Sequence, residues 1–166
     1  LADPVEKVHH RFVEERGPVI QQYLAKLCKG HGGRHPELFQ LAEEFNACVA
    51  AMAEHMHKEE AVLFPFVRSL EQSERAGAPL PQPSFGSVEN PVHMMMADHL
   101  EEGERFERMA ALSNGFTTPA DGCATYSAAF SMLKDFEEDL HRHIHLENNI
   151  MFPRAIALQK QLVSAV

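Results

Sequence analysis

Tryptophan is absent from the 166 residues and tyrosine occurs only twice. Valine, isoleucine and threonine form no dense alternating runs, so the chain lacks the usual material of β-sheets and its composition points to helices. No apolar stretch approaches the roughly 18 residues that a membrane-spanning helix needs. Basic residues are few. Fifteen Lys and Arg against 24 Asp and Glu leave a net charge of −9, which argues against a nucleic-acid surface because phosphate binding needs a clustered cationic excess. The three cysteines, Cys28, Cys48 and Cys123, have no CxxC spacing. They give neither a zinc ribbon nor a disulfide framework, and a reducing, cytoplasmic compartment is the simpler expectation. The zinc-protease pattern HExxH does not occur, and no Ser or Cys lies in a recognisable nucleophile motif. The chain opens on Leu1 without a signal-peptide pattern, as a processed chain or an excised domain would. Its length suits one compact domain with a real core.

What is abundant is histidine, with 11 residues, set in a chain cleanly divided by breakers. CKGHGGRHP (28–36) reads as a turn, GAPLPQPSFGSVENP (77–91) as a proline-rich linker and NGFTTPADG (114–122) as a second loop. Four segments of helical length lie between them. The second carries a 3-4 stripe of Leu38, Leu41, Phe45, Cys48, Met52, His55, Glu59, Val62 and Phe66. The fourth carries Tyr126, Ala129, Leu133, Phe136, Leu140, His143, Glu147 and Ile150. Val92, Met96, His99, Gly103, Phe106 and Ala110 mark the third, and His10, Val13, Gly17, Ile20, Leu24 and Leu27 the first. The expectation is an all-α, antiparallel four-helix bundle, with helical hairpins over about 4–72 and 91–158 joined by the linker at about 77–90.

Two stretches share a skeleton: HMHKEEAVLFP (55–65) and HIHLENNIMFP (143–153). In each, a histidine and a glutamate four residues apart stand on an otherwise apolar stripe. An ionised glutamate so placed costs several kcal/mol unless it is paired or binds a metal. A single pair reads as a buried His–Glu hydrogen bond. Duplication, with two further core-facing histidines, turns the reading to a metal cluster.

Convergence follows from antiparallel geometry, in which residues equidistant from a turn lie level. The midpoint of His10 and His55 falls between Gly32 and Gly33, that of His99 and His143 on Asp121, and that of Glu59 and His99 on Pro79. All three midpoints fall in turns or the linker, so His10, His55, Glu59, His99, His143 and Glu147 meet near the linker end. Separations of 89 residues (His10 to His99) and 88 (His55 to His143) point to an internal duplication. His31 lies 21 residues beyond His10, about 32 Å along a helix, and joins only if that helix breaks near Gly17 and Pro18. His35 shares its turn. His57 and His145 lie on the far side of their helices, and His93 is expected to be exposed. His9 competes with His10, although the His9 stripe meets Arg16. Met52, Met95, Met96 and Met151 read as packing, and the acidic runs at 101–104 and 135–139 as solvated faces.

Four imidazoles and two carboxylates exceed one tetrahedral zinc and suit two octahedral metals, with nitrogen donors favouring iron. Two irons offer about 12 positions; the six residues fill about eight and an oxo or hydroxo bridge about two more, leaving roughly one open position on each. Gly103, one turn after His99, leaves room there for a ligand.

The motifs HHRFVEERGP (9–18), HGGRHPEL (31–38), HMHKEEAVLFP (55–65), ADHLEEGE (97–104) and HIHLENNIMFPRA (143–155) carry a resemblance to haemerythrin-like (HHE) di-iron domains, most closely the Repair of Iron Centres family. The resemblance implies a non-haem di-iron protein of nitrosative and oxidative stress, with ligands at the six residues above. It implies support for iron–sulfur cluster repair, through iron donation, nitric oxide reduction or both. Its partners would be nitric oxide or oxygen and damaged iron–sulfur proteins, with no nucleic acid and no membrane. The alternative reading is a di-iron oxygen or redox sensor, or an oxygen- or iron-binding protein without turnover. Oxygen-carrying members have a fifth histidine where this chain has Gly103 and an aspartate where it has Glu147, which argues against reversible oxygen carriage. Full-length repair proteins also carry a short N-terminal domain with a cysteine pair, so the resemblance marks this chain as a fragment or a shorter relative.

Overall fold

A computed structural model describes residues 2–77, 79–80 and 82–164, and every element among them is helical. A π-helical turn at Val5–His10 runs directly into α1 (Arg11–His31). The second rod comprises α2 (Glu37–Lys58), a π-turn (Glu59–Leu63) and α3 (Phe64–Ala76). The third is α4 (Glu89–Leu112). The fourth comprises α5 (Ala124–Leu146), a π-turn (Glu147–Met151) and α6 (Phe152–Ser164). These four rods form the expected all-α bundle: α1 packs on α2 and α5, α4 packs on α2, and α3 packs on α6. The α4–α5 seam is much the loosest of its edges. No helix among the described residues is long and apolar enough to cross a membrane.

Compact connections keep the hairpins level. A Cβ on Gly32 would lie 2.3 Å from the Cys28 carbonyl oxygen and 2.6 Å from the Phe39 ring, so the first turn closes only around glycine. In the second loop Asn114, Gly115 and Phe116 take φ of 50°, 66° and 54°. Ser113 Oγ accepts the Phe116 amide at 3.0 Å and donates to the Met109 carbonyl at 2.8 Å, holding this left-handed run while Phe116 turns into the core.

The core divides into two apolar clusters. One, on the hairpin-turn side, centres on Phe45, Phe106 and Phe136, whose rings meet at centroid distances of 5.2 Å (Phe45–Phe136) and 5.8 Å (Phe106–Phe136). The other, toward the proline-rich connection, gathers Leu63, Phe64, Val67, Leu70, Val92, Met95, Met151, Phe152, Ala155 and Leu158. At the chain start, Arg68 of α3 holds Asp3 at 3.0 Å and also binds Glu6, which fixes the first π-turn in place.

The π-turns correct the helical stripes. Phe64 N–H donates to the Glu59 carbonyl and Phe152 N–H to the Glu147 carbonyl, each five residues back. One extra residue per turn rotates everything downstream. Val62 and Ile150, expected to face inward, are therefore 47% and 50% exposed, and Leu63 and Met151 are buried in their places. Pro65 and Pro153 follow at once, where a missing amide is tolerated at a helix start. On α4, Met95 stands a full turn before His99 and is buried, whereas Met96, expected to pack, is 42% exposed.

Replacing Phe136 by alanine removes the ring shared by Phe45 and Phe106. The expected loss is about 3–5 kcal/mol, read as a lower midpoint in urea unfolding.

Candidate metal centre

Between the two apolar clusters lies one polar layer. His10 ends the first π-turn, His55 sits in the last turn of α2, His99 lies mid-α4 and His143 ends α5. Glu59 and Glu147 each open a π-turn. All six sequence-predicted residues meet here, and none is more than 3% exposed. Glu59 Oε2 lies 3.2 Å from His10 Nε2 and 3.4 Å from His55 Nε2. Glu147 Oε2 lies 2.9 Å from His99 Nε2 and 3.2 Å from His143 Nε2. Across the layer, His55 Nε2 and His99 Nε2 are 3.2 Å apart.

The side chains form two overlapping sets. Ligating atoms of His55, His99, His143 and Glu147 lie within 4.8 Å of one another, as do those of His10, Glu59, His143 and Glu147. Both oxygens of Glu59 and of Glu147, His10 Nε2 and both His143 nitrogens are buried with no hydrogen-bond partner among the described residues. Each such group left bare costs about 1–3 kcal/mol, and charged ones more. A cation at the centre satisfies them together, and imidazole with carboxylate is a transition-metal donor set. The residues present fit a bound metal.

Electrostatics agree. Burial first, and His99 second, pull His55 down to about 4, and burial lowers His10 as well, so both rings keep a lone pair free for ligation. The two carboxylates are driven apart. Burial and the facing charge of Glu147 push Glu59 far above the ordinary carboxylate range. Burial works in the same direction on Glu147, but His143 and His99 outweigh it and hold Glu147 low.

The outer ring nitrogens are also engaged. His10 Nδ1 meets Glu60 at 2.7 Å, His55 Nδ1 meets Asp98 at 3.2 Å and His99 Nδ1 meets Asn148 at 2.9 Å. Phe64 stacks on His10 (5.4 Å between centroids) and Phe152 on His99 (5.9 Å), so the Phe-Pro residues press on the site from the second apolar cluster. Glu60, Asp98 and Asn148 escape a stripe-based reading, because each lies outside the buried stripe. Their one sequence signal is adjacency to Glu59, His99 and Glu147.

The other histidines lie elsewhere. His31 Nε2 is 3.3 Å from Cys123 Sγ, and its ring packs edge-on against Tyr126 near the hairpin turns. His35 binds Asp121 at 2.8 Å and Glu37 at 3.1 Å. His57, His145 and His93 are exposed, as expected. His9 is buried beside the layer, 2.9 Å from Asp139 and stacked on His143 at 5.7 Å, but belongs to neither set.

A bundle with this polar layer defines a class, and the chain belongs to the Hemerythrin HHE cation binding domain family, which it matches over residues 3–155. Among individual proteins it is 31% identical to the iron-sulfur cluster repair protein YtfE of Yersinia pseudotuberculosis and 30% identical to a probable iron-sulfur cluster repair protein of Haemophilus influenzae. Each match covers 92% of this chain but only 62% of the relative's length.

Glu59→Ala and Glu147→Ala are expected to lose at least about 10–100-fold in metal affinity. His31→Ala keeps wild-type metal content. Elemental analysis of folded protein, with circular dichroism to confirm the fold, distinguishes the three.

Proposed function

We propose that the layer holds two iron ions bridged by Glu59 and Glu147 and by an oxo or hydroxo group, and that the chain serves repair of damaged iron–sulfur clusters under nitrosative and oxidative stress. The observation that carries this reading is the pair of bare, buried carboxylates facing four imidazoles. Two carboxylates can span two metal positions, and nitrogen-rich donors favour iron over magnesium or calcium. Relatives named for iron–sulfur cluster repair support the same role here.

When bound, a ferrous pair supplies the two electrons that turn two nitric oxide molecules and two protons into nitrous oxide and water. The chain's own residues govern access. At the loose α4–α5 seam, His99 borders a cleft of about 480 Å³ walled by Met96, Leu100, Gly103 and Ile144, with Glu104, Glu107, His141 and Asn148 completing its lining. The apolar side of this cleft suits an uncharged diatomic molecule. A Cβ on Gly103 would touch nothing within 4 Å, so the glycine leaves open space in the cleft. His10 and His55 border separate clefts of opposite character. Glu6, Glu14, Glu15 and Glu60 stand around His10 with Lys7 and Arg11, and Glu54, Asp98, Glu101 and Glu102 near His55 with Lys58. Carboxylates outnumber the cations in both clefts, and that acidic excess favours passage of a cation, which supports iron donation.

Two assays on anaerobically reduced protein carrying two irons test this reading: nitrous oxide formation from nitric oxide, by gas chromatography, and iron transfer to an apo iron–sulfur protein. Absence of both removes the repair chemistry and leaves a sensor or an oxygen- or iron-binding protein. Gly103→Phe, which fills the apolar cleft, is expected to slow nitric oxide binding in stopped-flow measurements while iron content stays unchanged.

A further inference from the structure

We infer that Glu60 and Asp98 are positioning residues, each orienting one ligand histidine of a different metal position. The inference rests on the metal-centre reading and deepens it. Glu60 Oε1 lies 2.7 Å from His10 Nδ1, and Asp98 Oδ2 lies 3.2 Å from His55 Nδ1. The side chains of His10 and His55 are only 2% and 3% exposed, whereas those of Glu60 and Asp98 are 40% and 37% exposed. Each carboxylate therefore reaches from solvent to the back of a buried ring.

The two sets give this arrangement its meaning. His10 belongs to the set with Glu59, and His55 to the set with His99. The remaining rings are backed differently: His99 Nδ1 meets the neutral side chain of Asn148, and His143 Nδ1 has no partner among the described residues. Each position thus draws one carboxylate-backed imidazole and at least one without such backing. An acceptor on Nδ1 fixes the ring plane and keeps the proton there, leaving the Nε2 lone pair for the metal. A surface ion pair does not describe either contact, since the histidine partner of each is buried. Lys58, the other partner near Asp98, stands 4.0 Å away. The two carboxylates lie on different elements, in the second π-turn and in α4, so their effects are separable.

The test is a cobalt(II) titration of the full chain, followed by visible absorption against a competing chelator, on wild type, Glu60→Ala, Glu60→Gln, Asp98→Ala, Asp98→Asn and Glu60→Ala/Asp98→Ala. Wild type is expected to bind two equivalents. Each alanine variant weakens one equivalent by about 10–100-fold and spares the other, and the double variant weakens both. The amide variants, whose carbonyl oxygen still accepts from Nδ1–H, recover most of the loss. Exchangeable imidazole N–H resonances shifted by bound cobalt report the same rings: one such signal exchanges faster in each alanine variant. Alanine variants that bind both equivalents like wild type overturn the inference while leaving the metal centre intact. So do variants that lose both equivalents together, or amides no better than alanine. Wild type that binds no cobalt and carries no iron overturns the metal centre itself.

Discussion

Glu59 and Glu147 are buried completely, lie within reach of the same imidazoles and have no well-formed hydrogen bond to any of their four oxygens among the described residues. Placing an ionised carboxylate in such surroundings costs several kcal/mol, and a second one nearby adds repulsion. Everything around them answers that cost. Four imidazoles, neutral where burial lowers their affinity for protons, turn lone pairs toward the same space. Phe64 and Phe152 lie flat against two of the rings, and apolar clusters above and below exclude water. A cation would complete the arrangement and so allow a layer this polar to sit in the middle of a bundle and not at its surface.

Much of this was legible in the sequence, for specific physical reasons. Leu38, Leu41, Phe45, Cys48, Met52, His55 and Glu59 keep the 3.6-residue period, and all are buried. Level pairing from the hairpin midpoints holds because each connection is compact, the first a five-residue turn and the second a loop folded back on Ser113. His31 falls at the far end for the same reason that His10 falls at the centre, since α1 continues unbroken through Gly17 and Pro18. The stripes stop being readable one step past each glutamate, where a backbone hydrogen bond five residues long replaces one of four. Hydrophobic pattern alone does not encode that choice. Glu60, Asp98 and Asn148 were hidden for another reason: a polar residue beside a ligand looks like any solvated one until the ring direction is known.

The surroundings of the centre divide by charge. The rings of His10 and His55 are approached through acidic clefts, His99 through a largely apolar one, and His143 borders none of these three. The division follows from helix faces. α4 turns Met96, Leu100 and Gly103 toward α5, while Asp98, Glu101 and Glu102 face α2, so one helix supplies both kinds of wall. Arg105, held by Glu102 of its own helix (3.1 Å), ties α4 to Glu44 of α2 (3.1 Å), whereas the opposite seam with α5 is the looser one.

The extra residue in the second and third π-turns also leaves a mark far from the carboxylates. Each added residue turns the downstream helix by about 100°, and α3 and α6 pack on one another in that rotated setting. Two helices that supply no ligand therefore carry a memory of the centre in their own phase. Deleting one residue after either glutamate would turn the apolar face of the helix that follows away from its partner along its whole length.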